Sequence, residues 1–332
     1  MRDIHVFRVK TMFHLLQAIL IVNQTDYNIL FLDGKSVNKL EKKLRAGWFQ
    51  EIHINKNSFS ENKILRHFFT LWFSVFYRFR YFLKPKNNYI LFTSSHNIIG
   101  SVYKYFFFAK EIKILEDGNY SYNMQVLNKI NFLYENQNKN SIIKSLLGDY
   151  FLNIFNHNIT GYYFTSRYRL KKNLFVIYNR IQKKIIEIDL VLGINKMTET
   201  KKIWIKSIFF DENFSIDKNC KTIILLTQPL NEIGLFKKHE LLKLYDEYLG
   251  KFDTPDYICY LKMHPVEEYG KYDSLVKKHS LKVLPKDFPF ELLELFSLKF
   301  DLGITYNSTA VFSNLITKKI ILDKNQERLF SI

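Results

Sequence analysis

Short apolar runs, each closed by polar or small residues and followed by a segment of helical period, recur along this sequence. That alternation constrains the fold most, because strands separated by helix-length segments cannot pair as tight hairpins and are left to form parallel sheets. In the first half, residues 4–9 read as a strand, 11–22 as a helix and 28–32 as a second strand closed by Asp33-Gly34. Further strands are expected over 51–54, 89–92, 111–115, 161–164 and 174–177. After Lys221 the alternation is cleaner, with strands over 222–227, 257–263, 281–284, 302–305 and 319–322. A helix is expected over 239–249, and further helices start near Pro289 and at Ser308. At 332 residues the chain exceeds one typical core. Two Rossmann-like α/β domains are expected, residues 1–205 and 206–332, with a ligand cleft between them.

Composition narrows the class. Apolar residues make up 47% and charged residues 24%, as in a soluble globular protein. The net charge of +17 points to nucleic acid or an anionic membrane surface, or simply to a Lys-, Asn-, Ile- and Phe-rich coding bias. Against nucleic acid, no recognised binding module is present, and the aromatics gather in one apolar stretch instead of alternating with Lys and Arg. That stretch, residues 63–84, reads either as a core helix or as an interfacial helix whose flanking Arg66, Arg78 and Arg80 snorkel. No segment is long and apolar enough to span a bilayer, and no signal peptide is visible. Two cysteines, Cys220 and Cys259, make neither a disulfide framework nor a metal cage, which fits a reducing cytoplasm.

In an open parallel sheet, ligands sit outside the carboxyl ends of the strands. Four clusters fall at such ends. Glu116-Asp117-Gly118 follows a strand, and a carboxylate there can accept a proton from an attacking hydroxyl or form an ordinary acidic turn. His264 follows a strand within Lys262-Met263-His264-Pro265, and Pro265 restricts the backbone so that the ring is aimed at the strand end. Its imidazole could stabilise a departing phosphate. Asn307, Ser308 and Thr309 lie at a strand-to-helix junction, as phosphate ligands or as a plain N-cap. Phe290-Glu291 opens a helix, where Glu291 complements the dipole or holds ribose hydroxyls. Glu232, just after Gln228-Pro229, is a second carboxylate at a strand end. P-loop, dinucleotide and metal-ligand spacings are absent, and Glu187-Ile188-Asp189 lacks the context of a metal–nucleotide motif.

In order, Glu116-Asp117-Gly118, Gln228-Pro229, Lys262-Met263-His264-Pro265, Phe290-Glu291 and Ser308-Thr309 resemble the bacterial sialyltransferases, above all glycosyltransferase family 52. The opening segment from Lys10-Thr11 to Gln17 is similar to that family's first strand-loop-helix. The resemblance implies a GT-B enzyme of two Rossmann-like domains that transfers sialic acid from CMP-sialic acid with inversion and needs no metal or other cofactor. It implies Glu116 as general base with Asp117 beside it, while the strand-end position of Glu232 makes that residue the alternative base. It implies His264 at the leaving CMP, with Ser308 and Thr309 on its phosphate and Glu291 near its ribose or cytosine. Gly118, Lys262, Pro265, Phe290 and Asn307 complete the implied donor-side set. The implied partner is a surface glycan, lipooligosaccharide or capsule, lipid-linked and met at the cytoplasmic membrane face, with a homodimer as the implied assembly. The sequence stops soon after the last strand, so a closing C-terminal helix is expected to be short or missing. The alternatives are another GT-B transferase, using UDP-glucose or CDP-glycerol, and a basic nucleic-acid-binding protein.

Overall fold

A computed structural model describes residues 3–33, 35–45, 47–54, 88–94, 110–116, 159–165, 182–210, 220–252 and 256–322. The chain divides into two compact units, Met1–Gly193 and Ile194–Ile332.

The first unit carries a parallel sheet of seven strands. In chain order they are β1 (Asp3–Val9), β2 (Tyr27–Leu32), β3 (Glu51–Ile54), β4 (Asn88–Ser94), β5 (Glu111–Leu115), β6 (Ile159–Phe164) and β7 (Ile185–Glu187). Their order across the sheet is β3-β2-β1-β4-β5-β6-β7, so the winding reverses between β1 and β4. Central strands of such a sheet are covered on both faces and read as unbroken apolar runs. Accordingly Ile29, Leu30, Phe31 and Leu32 of β2 are all fully buried, and Phe7 of β1 stacks on Phe92 of β4 with ring centroids 4.5 Å apart. Between β1 and β2 runs helix α1 (Met12–Ile21). Thr11 caps it by accepting the His14 amide at 3.2 Å, and Leu15, Leu16, Ala18 and Ile19 are fully buried. Two short helices, α2 (Lys35–Asn38) and α3 (Glu41–Leu44), lead into β3. Helix α4 (Leu190–Asn195) follows β7, and Asp189 accepts the Leu192 amide at 2.8 Å. The acid-x-acid element therefore includes a helix-starting carboxylate.

The first helix wholly within the second unit is α5 (Glu199–Phe209), capped by Thr198. Phe210 at its end packs on Phe288 and Phe296, at centroid distances of 4.7 and 4.8 Å. Those contacts bind the helix to the second unit, and the division falls before α5, whereas residue 205 lies inside it. Five parallel strands follow: β8 (Lys221–Leu226), β9 (Tyr257–Lys262), β10 (Lys282–Leu284), β11 (Phe300–Thr305) and β12 (Ile316–Ile321), in the sheet order β10-β9-β8-β11-β12. Helix α6 (Lys238–Leu249) covers one face. Its buried stripe Leu241, Tyr245 and Leu249 meets Ile223 and Leu225 of β8 and Cys259 and Leu261 of β9. The four-residue spacing of the stripe and the two-residue spacing of the strands are the periods that put these groups on one face. A short helix α7 (Asp273–Lys278) leads into β10.

The expected strand over 174–177 and the aromatic stretch 63–84 lie outside the described residues. No described helix is long and apolar enough to cross a membrane.

Candidate functional site

In the second unit the winding reverses between β8 and β11. At such a reversal the crossovers leave to opposite faces, opening a crevice outside the strand ends. Thr305, the last residue of β11, is fully buried there. Its hydroxyl donates to the Leu226 carbonyl at 2.7 Å and accepts the Ser308 amide at 2.9 Å. Ser308 is thereby fixed at the end of β11, and its side chain makes no capping hydrogen bond. The expected helix is a single 3-10 turn, Thr309–Phe312, because the chain must enter β12 at Ile316 directly afterwards. Asn307 is half-buried on the same loop.

On the other side of β8, β9 ends at Lys262, whose buried ammonium donates to the carbonyls of Lys286 at 2.9 Å and Met263 at 3.3 Å. It also lies 4.7 Å from the centre of the Phe288 ring. Burial lowers its pKa to about 7, against the opposing pull of Asp287, Glu291 and Glu267. The charge is thus directed into the loop after β10, not at the sheet edge.

Two residues on, His264 to Glu267 form a tight turn in which the Glu267 amide donates to the His264 carbonyl at 3.0 Å. Exposed Pro265 takes the second position, where its fixed φ suits a turn. The Val266 amide donates to His264 Nδ1 at 3.3 Å. An amide can only donate, so Nδ1 accepts, and the neutral ring carries its proton on Nε2. Burial lowers the His264 pKa from its ordinary value, with Glu267 opposing and Lys262 adding to the shift. Nε2 makes no hydrogen bond among the described residues.

Glu267 is fully buried. Its carboxylate accepts the His264 amide at 2.9 Å, the Tyr272 hydroxyl at 2.6 Å, the Lys271 ammonium at 2.6 Å and the hydroxyl of Thr227. Burial alone would raise its pKa, but the hydrogen bonds from Lys271, Thr227, Tyr272 and the His264 amide outweigh it and the net shift is downward. Lys271 also reaches Glu232, at 3.1 and 3.0 Å. Glu232, expected from the sequence as an alternative base, is therefore ion-paired to the cation that Glu267 holds.

Glu291 is half-buried in the 3-10 helix Phe290–Phe296, and burial raises its pKa, only partly opposed by its own backbone amide and by Lys262. The Phe290 ring belongs to the core, 5.9 Å from that of Phe300, so what this residue can offer a ligand is backbone.

In the first unit Glu116 follows β5 directly and is buried. Gln17 of α1 grips its backbone from both sides, donating to the Glu116 carbonyl at 2.8 Å and accepting its amide at 3.1 Å. The carboxylate accepts the Thr165 hydroxyl, at 3.0 Å to one oxygen and 2.8 Å to the other, and the Thr165 amide. Asp117 and Gly118 lie outside the described residues.

The sequence reading passed over Glu267, Thr227 and Thr305. A signal existed for the first: in His264-Pro265-Val266-Glu267 an acid three residues beyond the turn's first position can reach back to that residue's amide.

The model for glycosyltransferase family 52 matches residues 47–322. An uncharacterized protein of Haemophilus influenzae is 30% identical over 136 residues, 41% of this chain and 38% of that relative, so the match spans well under two thirds of its length. Among solved structures, the α/β-galactoside α-2,3-sialyltransferase of Photobacterium phosphoreum is similar with a TM-score of 0.65 at 13% identity, over 97% of this chain and 90% of the other. The 2,6-sialyltransferase of Photobacterium sp. JT-ISH-224, solved with CMP and lactose, gives 0.62 at 14% identity, over 98% and 74%. A UDP-GlcNAc 2-epimerase from Neisseria meningitidis bound to UDP-GlcNAc gives 0.52 at 13%, over 94% and 79%. At these identities the likeness is one of fold, the pair of Rossmann-like units of GT-B proteins.

Proposed function

Because this chain belongs to glycosyltransferase family 52, we propose that it transfers sialic acid from CMP-sialic acid to a galactose-type hydroxyl of a bacterial surface glycan. The observation that carries this reading is the His264 turn at the end of β9, where an amide on Nδ1 sets the ring proton on Nε2. Ser308, fixed at the end of β11 and free of capping duty, lies on the other side of β8. The two flank the end of β8, and a monophosphate held there would receive a hydrogen bond from each.

In the reaction the acceptor hydroxyl attacks the anomeric carbon of the sialyl group on the face opposite CMP. The glycosidic C–O bond forms as the C–O bond to phosphate breaks, with oxocarbenium character between, and the configuration inverts. CMP leaves as a stable anion, which calls for charge stabilisation rather than a strong acid or a metal, and His264 with Ser308 supplies it. Glu116-Asp117 provides the carboxylate that takes the acceptor's proton. Both oxygens of Glu116 already accept from Thr165, which favours Asp117 as the acceptor of that proton. Glu232, paired with Lys271, is the alternative. Thr309 joins Ser308 at the phosphate, Glu291 contacts the ribose or cytosine, Asn307 lies on the same donor-side loop as Ser308, and Lys262 braces the loop after β10 from within. The net charge of +17 suits a protein that meets an anionic, lipid-linked acceptor at the inner membrane face.

The test is incubation with CMP-sialic acid and a lactoside in the presence of a metal chelator, following CMP release and the sialylated product. Expected are turnover in wild type and a loss of about 10²-fold or more in kcat for His264→Ala. Thermal stabilisation by UDP-glucose, UDP-GlcNAc or CDP-glycerol, with none by CMP, would overturn the choice of donor.

A further inference from the structure

We propose that Glu267 is the positioning residue of His264, a buried carboxylate that sets which ring nitrogen carries the proton. It does not touch the ring. It closes the 264–267 turn at both ends, its amide donating to the His264 carbonyl at 3.0 Å and its carboxylate accepting the His264 amide at 2.9 Å. In the closed turn the Val266 amide reaches His264 Nδ1, at 3.3 Å. The order of cause runs from carboxylate to turn, from turn to Nδ1, and from Nδ1 to a proton held on Nε2.

Packing alone would not select this residue. A fully buried carboxylate bears a desolvation cost that an apolar side chain of similar volume avoids. Here the cost is offset by four donors from three places: Thr227 after β8, the His264 amide after β9, and Lys271 with Tyr272 beyond the turn. The carboxylate therefore joins two adjacent strand ends at the sheet edge. Lys286 adds a further tie by donating to the Glu267 carbonyl, while its own carbonyl accepts from Lys262. A group so fully engaged has no lone pair to spare for substrate, which makes it a support for the histidine and not a contact of the donor.

The inference rests on His264 as the contact of the leaving phosphate, and its test has one arm that does not. The first arm records the ring nitrogens of His264 by ¹⁵N-resolved NMR in wild type, Glu267→Gln and Glu267→Asp. Wild type is expected to hold the proton on Nε2, Glu267→Gln to show both tautomers, and Glu267→Asp to recover most of the wild-type signal. The second arm is a kinetic cycle with His264→Ala. Glu267→Gln is expected to lower kcat about 10- to 100-fold with the donor KM little changed, and to cost nothing further once His264 is gone. Thr227→Val, which removes one donor and keeps the charge pair, serves if the Gln variant folds poorly, and a smaller shift of the same kind is expected. An unchanged tautomer in Glu267→Gln, or equal losses with and without His264, would overturn the proposal and leave Glu267 a stability residue. If no sialic acid is transferred at all, the NMR arm still decides, so failure of the sialyltransferase reading is told apart from failure of this one.

Discussion

Burial holds the ammonium of Lys262 at a pKa of about 7 against 10.5 in an exposed lysine. Between those values the unfolded chain keeps a proton that the folded chain has lost, so this group makes stability rise with pH, from about 7 until the gain is complete near 10.5. Lys262→Met should flatten that rise, measured as the denaturant midpoint at pH 7, 8 and 9. His264 carries the same sign at a lower pH: its depressed pKa makes stability climb from the folded value up to the ordinary one near 6.5, and His264→Gln should remove that step. The carboxylates divide differently. Glu116 is engaged by Thr165 and Glu232 by Lys271, so Asp117→Ala should cost more activity than Glu232→Ala in CMP-release assays. The reverse ranking would move the base to the second unit.

Among the elements, β11 is the most exacting. A Cβ on Gly303 would stand 2.8 Å from two methyl groups of Ile316 and 3.2 Å from Val311, both buried. Gly303→Ala should therefore destabilise by about 1–3 kcal/mol, read from denaturant unfolding, because β12 must move away. At the start of α1, Thr11→Ala should cost about 1 kcal/mol through loss of the bond to the His14 amide. Strands such as β2 and β8 were legible in the sequence because burial on both faces writes them as unbroken apolar runs. β7 was not, being three residues long with Ile186 exposed. Helix α5 is hard to read from sequence, although its buried Lys201, Trp204, Ile205 and Ile208 keep a helical spacing. Its first buried residue is a lysine, which masks the apolar stripe. The strand-end positions of His264, Ser308 and Glu116 were legible because pattern locates the ends of buried strands. Glu267 could not be weighed that way, since its role lies in bonds to residues 227, 271 and 272 that only folding assembles.

For the whole molecule, a ligand that binds only the folded chain raises its stability by about 2.7 kcal/mol at a hundred times its dissociation constant. CMP should therefore raise the melting temperature of the protein. Hydrogen exchange should show the added protection concentrated at the turn from His264 to Glu267 and at Thr305 and Ser308. Protection confined to the first unit would place the nucleotide elsewhere. The strand order has a consequence for synthesis as well. Among the described residues, β1 to β7 make one sheet and β8 to β12 the other, with no strand exchanged between them. The first sheet can therefore be completed on the ribosome before any strand of the second emerges. Each of its parallel pairings must still wait for a crossover, which makes for slow, non-local closure. Stalled nascent chains ending just before β8 should already protect β1 and β4 from protease, so the later sheet begins to pair only after the strands of the earlier one have found their partners.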